Sequence, residues 1–314
     1  MVTGLKVVFM GSPEFAVPSL LQIHQSQHQI VGVVTQPDKV KGRGQRLLPT
    51  PVKAAANDLH LSPVLQPARL KDEEFIRDLK SLAADIFVVV AFRILPEEVF
   101  TLPPRGTINL HPSLLPKYRG AAPLHWTIIR GETETGVTII QISREVDAGN
   151  ILVQKKLPIL PDETVGSLHD RLAHIGAEVL VEALDGLAAN KLIPRKQSDE
   201  AATPAPKLKH EDCHLNFAQP AEQVKNWIHG LSPFPGAYAF YETHLVKFYR
   251  AKVYNTHSVQ ATPGTIIQAD SAHLLVSCAP GIIEILELQR EGKKVLTAAE
   301  FLRGFQLEVG KSFR

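Results

Sequence analysis

The run DIFVVVAF, Asp85–Phe92, decides the fold class. Its apolar and β-branched residues follow one another without alternating with polar ones. That is the pattern of a strand covered on both faces, as in a parallel sheet flanked by helices. Reading outward, LKVVFM (Leu5–Met10) and IVGVVT (Ile30–Thr35) repeat it upstream, and TINL (Thr107–Leu110) follows downstream. Helical stretches separate these runs, through Ser19–His24 and near Glu73–Ser81. The alternation predicts a Rossmann-like, doubly wound α/β domain with a mostly parallel sheet over residues 1–189. Its last helix is expected over Val165–Asn190, where Leu168, Leu172, Ile175 and Val179 recur at helical spacing.

The pattern then breaks. KLIPRKQSDEAATPAPKLKH (Lys191–His210) combines prolines and mixed charge with no periodicity. It reads as a linker, 190–208. Residues 209–314 change class: a helix near Ala221–Leu231 precedes short, closely spaced apolar runs with Gly, Pro and Asn turns. A small antiparallel, OB-like β-barrel is expected, with a final helix beginning at Thr297.

A charged fraction of 21%, a hydrophobic fraction of 44% and a net charge of +2 describe an ordinary globular chain. The sequence pI near 8.4 permits an anionic partner without requiring one, so a polyanion would need a local basic patch. Cys213 and Cys278 are far apart and outside any Cys-x-x-Cys pair, which argues against zinc and for a reducing, cytoplasmic setting. The apolar start is too short for a signal peptide and reads as a first strand, and no run approaches a membrane span. His169 and His174 miss the spacing of a helical zinc pair, and no metal is expected.

The turn after the first strand, GSPEFAVPSL (Gly11–Leu20), has one glycine where a dinucleotide site needs three. KVKGRGQR (Lys39–Arg46) lacks phosphate-loop spacing. Its bland reading is a solvated loop; its functional reading is a basic patch made of Lys39, Lys41, Arg43 and Arg46.

Chemistry is better looked for in TINLHPSLLPKYRG, Thr107–Gly120. Asn109 and His111, two apart in an extended segment, share a face at the strand terminus, where open α/β sheets hold ligands. A lone strand-end histidine is commonly structural. The stretch GVTIIQISREVDAGNIL (Gly136–Leu152) adds a second strand ending in charge, with Asp147 in a turn. An amide donor, an imidazole and a carboxylate suit acyl-type transfer to an amine: donors meet the developing oxyanion, and a base takes the amine proton. No nucleophile elbow is present, so direct transfer is favoured over a covalent enzyme intermediate.

These residues carry a resemblance. NLHPSLLPKYRGAAP followed by GVTIIQISREVDAGNIL is similar to the formyltransferases that use 10-formyltetrahydrofolate, and GSPEFAVPSL, TQPDKVKGRGQRLLPTPVKAAA and PAPKLKHEDCHLNF extend the likeness over essentially the whole chain. The resemblance implies that Asn109, His111 and Asp147 form the catalytic trio. It also implies that Ser113, Leu114, Leu115 and Pro116 line the folate site. The implied donor is 10-formyltetrahydrofolate; the implied acceptor is the α-amine of methionine on initiator tRNA, which attacks the formyl carbon directly through a tetrahedral intermediate. A tRNA-sized cleft between two domains suggests a monomer. The 39–46 loop would then contact the acceptor end of the tRNA, with Lys207 and Lys209 adding phosphate contacts. Where such a chain would carry an aromatic-glycine pair, this one has Phe92-Arg93, which leaves the direction of Arg93 open.

An amino sugar nucleotide is the alternative acceptor within the same family. A glycinamide ribonucleotide formyltransferase would leave 191–314 without a purpose, and a non-catalytic RNA-binding protein would leave the trio unexplained.

Overall fold

The computed structural model describes residues 4–41 and 46–314. They divide into two compact units. The first comprises Met1–Gly120, Thr135–Leu157 and His169–Pro204; the second comprises Ala121–Glu134, Pro158–Leu168 and Ala205–Arg314. In chain order the elements up to the former linker are β1 (Lys6–Gly11), α1 (Val17–His24), β2 (Gln29–Val34), β3 (Lys39–Lys41), β4 (Arg46–Leu48), α2 (Pro51–Asp58), β5 (Val64–Leu65), α3 (Glu73–Ser81), β6 (Ile86–Val90), α4 (Glu97–Phe100), β7 (Thr107–His111), β8 (Arg119–Gly120), α5 (Pro123–Ile129), β9 (Glu134–Gln141), β10 (Ile151–Pro158) and α6 (Val165–Ala188).

Among the described residues the main sheet has seven strands in the order β10-β9-β7-β6-β1-β2-β5. Pairs β5–β2, β2–β1, β1–β6 and β6–β7 are parallel, and β7–β9 is antiparallel. The uninterrupted run that suggested this sheet is β6, every residue of which is buried. Phe9 of β1 and Phe87 of β6 are fully buried as well; each such side chain contributes about 1.5–3 kcal/mol by leaving water. Gly11 ends β1 because a Cβ there would lie 2.8 Å from that of Ala16, so only glycine allows the close turn into α1.

The register brings the strand ends level. Gly11 faces Val90, and Val90 faces Leu110. Ser12, Ala91 and His111 therefore sit together at the carboxyl edge of three adjacent parallel strands, where this topology holds ligands.

Two stretches differ from their sequence reading. The flanks of the basic 39–46 loop are an antiparallel pair, with Lys39 opposite Leu48 and Lys41 opposite Arg46. The stretch taken as a linker is partly built into the first unit: Arg195 and Ile151 exchange backbone hydrogen bonds of 2.8 Å in both directions, and Gln197 is buried. Main-chain pairing needs no side-chain periodicity, so the sequence carried no trace of it. The border drawn at 189 also differs from that of the compact units, because residues 121–134 and 158–168 group with the C-terminal half.

The second unit contains β11's Ala205, α7 (Ala221–Gly230), β12 (Ala237–Tyr241), β13 (His244–Asn255), β14 (Ile266–Ala269), β15 (Leu274–Cys278), β16 (Gly281–Arg290), β17 (Leu296–Thr297) and α8 (Ala298–Gly304), where β11 is Pro204–Ala205. Its sheet runs β12-β13-β16-β15-β14, with β17 on β16, and every registered pair is antiparallel. Segment 311–314 bonds to both edges. Phe240 and Arg314 exchange hydrogen bonds on the β12 side, while Ile266 donates to Lys311 and Phe313 donates to Gly264 on the β14 side. Phe217, Phe248 and Phe313 pack ring to ring inside. Thr297 caps α8 in a reciprocal capping box with Glu300.

Among the described residues no helix is long and apolar enough to cross a membrane.

Candidate active site

His111 ends β7 and is only 4% exposed. Its place is fixed from both sides, by Thr138 of β9 opposite it and by the β6 register next door. The ring Nε2 lies 2.9 Å from the Tyr118 carbonyl oxygen. A carbonyl only accepts, so Nε2 carries a hydrogen and donates it. The other nitrogen, Nδ1, stands 3.5 Å from Asp147 Oδ1. With Nε2–H committed, a bare Nδ1 would set a lone pair against a carboxylate, and a proton in that gap relieves the repulsion.

Asp147 is held as tightly. Its Oδ2 accepts the Gly120 backbone N–H at 2.9 Å. Its backbone is left-handed, with φ +55°, a conformation that aspartate and asparagine tolerate better than most residues. Gln197 clamps the turn: its Nε2 donates to the carbonyls of Asp147 at 2.8 Å and Gly149 at 2.7 Å. The Gln197 carbonyl in turn accepts from Arg119 Nε and Nη2, and Arg119 pairs with Asp199 at 3.0 Å. Gly149 is required here because a Cβ would collide with the Gln141 carbonyl. Tyr118 (φ +63°) and Ala91 (φ +47°) are also left-handed. Such residues cost about 1–3 kcal/mol each and gather where a site is over-determined.

Asn109 shares the face of His111, two residues back on β7, and is half-buried. Among the described residues nothing hydrogen-bonds its carboxamide, which leaves both N–H groups available to a ligand.

The segment Ser113–Pro116 follows directly. The Ser113 hydroxyl is buried and donates to the Lys117 carbonyl at 2.7 Å. Thr138 ties the turn from behind, donating to the Ser113 carbonyl at 2.6 Å and accepting from the Leu115 amide at 3.2 Å. Gln154 donates to the Leu115 carbonyl at 2.9 Å. Ser113 and Leu115 face inward, while Leu114 and Pro116 keep part of their surface open. Arg93 does not turn to this turn: its guanidinium donates to the carbonyls of Pro67 (2.8 Å) and Ala68 (3.0 Å) and lies over the Phe92 ring. Burial pushes its pKa down.

Of the basic residues singled out, Lys39 in the first unit and Lys207 and Lys209 in the second are exposed. Lys209 lies 3.7 Å from Glu211. The backbones of Lys41 and Arg46 pair with each other, and Arg43 lies outside the described residues. Among the described residues no group of three or more His, Cys, Asp or Glu side chains is arranged to hold a metal.

The sequence reading missed Gln197, Gly120, Thr138 and Gln154. Gly120 acts through its backbone, and Gln197 sits in an aperiodic stretch, so neither carries a pattern. Thr138 and Gln154 lie on strands β9 and β10, where a polar residue turned to the site looks like any other alternation.

Comparison with known proteins bears on the chemistry. Residues 5–184 match the family described as "Formyl transferase", and residues 207–306 match "Formyl transferase, C-terminal domain". The chain is 47% identical to the methionyl-tRNA formyltransferase of Geobacter sulfurreducens, over 98% of this chain and 96% of the relative. In fold it is similar to HypX from Aquifex aeolicus, solved in complex with tetrahydrofolic acid (TM-score 0.65, 17% identity, 99% of this chain and 51% of that one). It is also similar to the methionyl-tRNA formyltransferase of Clostridium thermocellum (TM-score 0.55, 17% identity, 79% of this chain and 93% of that one).

Proposed function

This chain belongs to the formyl transferase family, and from that premise we propose that it transfers the formyl group of 10-formyltetrahydrofolate to the α-amine of methionine on initiator methionyl-tRNA. The observation that carries the chemistry is the anchored His111–Asp147 pair at 3.5 Å, beside the open carboxamide of Asn109. The 47% identity along nearly the whole chain to a methionyl-tRNA formyltransferase supports the acceptor.

A free α-amine titrates near ~8, so part of it is nucleophilic at neutral pH. As it attacks the formyl carbon, negative charge grows on the formyl oxygen. The Asn109 carboxamide and the His111 ring are the donors for that charge. Asp147 takes the amine proton and passes it to the folate nitrogen as the C–N bond between that nitrogen and the formyl carbon breaks, releasing tetrahydrofolate. The donor's flat ring system suits the half-open apolar surface of Leu114 and Pro116, whose turn is stiffened from behind by Thr138 and Gln154. Residues 1–189 form the catalytic portion and 209–314 a tRNA-binding, OB-like portion. Lys39, Lys41, Arg43, Arg46, Lys207 and Lys209 supply phosphate contacts.

Incubation with 10-formyltetrahydrofolate, charged initiator tRNA and an amino sugar nucleotide tests this. Formyl-methionyl-tRNA is the expected product; product on the sugar alone overturns the reading. The tRNA affinity is expected to fall by about 0.7–0.9 log unit per log unit of salt for each phosphate contacted. Salt-independent binding removes the basic residues from the interface.

A further inference from the structure

The antiparallel pair β3–β4, on which Lys39, Lys41 and Arg46 lie, joins no other strand among the described residues. Its register covers three residue pairs, and Val40, Leu47 and Leu48 are exposed. A two-stranded hairpin that buries so little is at best marginally stable in water. Its direction therefore has to be set at its two roots, where it leaves the body of the first unit.

One residue of α2 holds both roots. Lys53 donates its backbone N–H to Thr50 Oγ1 at 3.1 Å, which caps the helix and fixes the outgoing root. Its Nζ reaches the incoming root, donating to Asp38 Oδ2 at 2.7 Å. The same ammonium donates to Gln66 Oε1 at 2.6 Å. Gln66 Nε2 closes the ring by donating to Asp38 Oδ1 at 2.7 Å and to the Gln36 carbonyl at 2.9 Å. Both carboxylate oxygens of Asp38 are thus engaged by different side chains. The Thr35 and Thr50 hydroxyls, 2.6 Å apart, tie one root to the other. The side chains of Lys53 and Asp38 keep only 24% and 19% of their surface in water. Desolvation offsets much of the attraction in such a pair, so its best-attested use is to select one arrangement over others.

We propose that Lys53 is a positioning residue for the tRNA acceptor: by tying both roots of the β3–β4 pair, it sets the direction in which Lys39, Lys41 and Arg46 are presented. The inference rests on the tRNA contacts proposed above for those residues and adds what aims them.

The test measures kcat and KM for charged initiator tRNA at saturating 10-formyltetrahydrofolate. It compares the unaltered protein with Lys53→Met, Asp38→Asn and the double variant, each also melted thermally. Methionine keeps an unbranched stem and leaves the backbone N–H on Thr50. Each single variant should raise the KM for tRNA by about ten-fold with kcat little changed, and the double variant should cost no more than either single one. The sign at Asp38 is decisive. If Lys53 itself met a phosphate, Asp38→Asn would remove a repelling charge and lower the KM; that result overturns the inference. A lower melting temperature with KM intact overturns it too, leaving the pair a stabilising contact only. Changing Lys39, Lys41 and Arg46 together to alanine tests the tRNA reading separately. A KM that does not move there overturns the hairpin's contact with tRNA, and this inference with it. A KM that rises there but not in Lys53→Met or Asp38→Asn overturns the inference alone.

Discussion

Two buried histidines have opposite fates. His111 is 4% exposed and His229, on α7, is 2% exposed. His229 Nε2 accepts the Ala251 backbone N–H at 3.2 Å and faces no carboxylate at that nitrogen. Burial first, then the nearby charge of Lys225, pushes its pKa down to about 4. His111 instead gives Nε2–H away to a carbonyl and turns Nδ1 to Asp147. Burial alone makes His229 a neutral structural acceptor; in the proposed function, the carboxylate facing the second nitrogen is what sets His111 apart.

The contrast breaks most readily at Asp147. Asp147→Asn keeps an oxygen for the Gly120 amide and tolerates the left-handed backbone, so the fold should hold while formyl transfer drops by about 10²–10⁴. Single-turnover rates together with thermal melting check both halves, and a rate near that of the unaltered protein would remove Asp147 from the proton path.

His229 should behave in reverse. Its folded pKa is lowered from 6.5 to about 4. The unfolded chain therefore binds the proton first as pH falls. The stabilisation is complete above about 6.5 and is progressively lost between there and about 4, on the order of 3 kcal/mol in all. Denaturant titrations from pH 7 to 4.5 should show that decline, and His229→Gln should flatten it. Unchanged pH dependence in the variant would assign the acid sensitivity to another group.

A finer probe is Gln197→Ala. It leaves the carbonyls of Asp147 and Gly149 without their side-chain donor, a loss of about 1–3 kcal/mol. Because the clamp acts on the aspartate's turn, kcat should fall by about ten-fold with KM for tRNA little changed. Gln197→Glu, which cannot donate to the two carbonyls, should not rescue it. A fall in thermal stability with kcat intact would reduce Gln197 to scaffolding. The smallest effect belongs to Thr297→Ala, which removes the α8 capping box for about 1 kcal/mol and should leave transfer untouched.

Much of this was legible in the sequence because it rests on side-chain type and spacing. β6 declared itself by an unbroken apolar run, α3 matches its predicted limits, and the face shared by Asn109 and His111 followed from strand geometry alone. What was hidden depends on the backbone. The Gly120 amide on Asp147, the left-handed turns at Tyr118 and Asp147, and the pairing of Arg195 with Ile151 involve groups every residue possesses. Gln197 escaped for the same reason: its importance lies in two carbonyls fifty or so positions away, brought to it by a stretch whose prolines and mixed charges read as a connector.

Segment 311–314 has a practical consequence. By bonding to β12 on one side and to the start of β14 on the other, it occupies two rows of amides and carbonyls that would otherwise be free to recruit foreign strands. Clipping those four residues, or crowding them with a fused affinity tag, should leave a protein that self-associates on storage well before it unfolds.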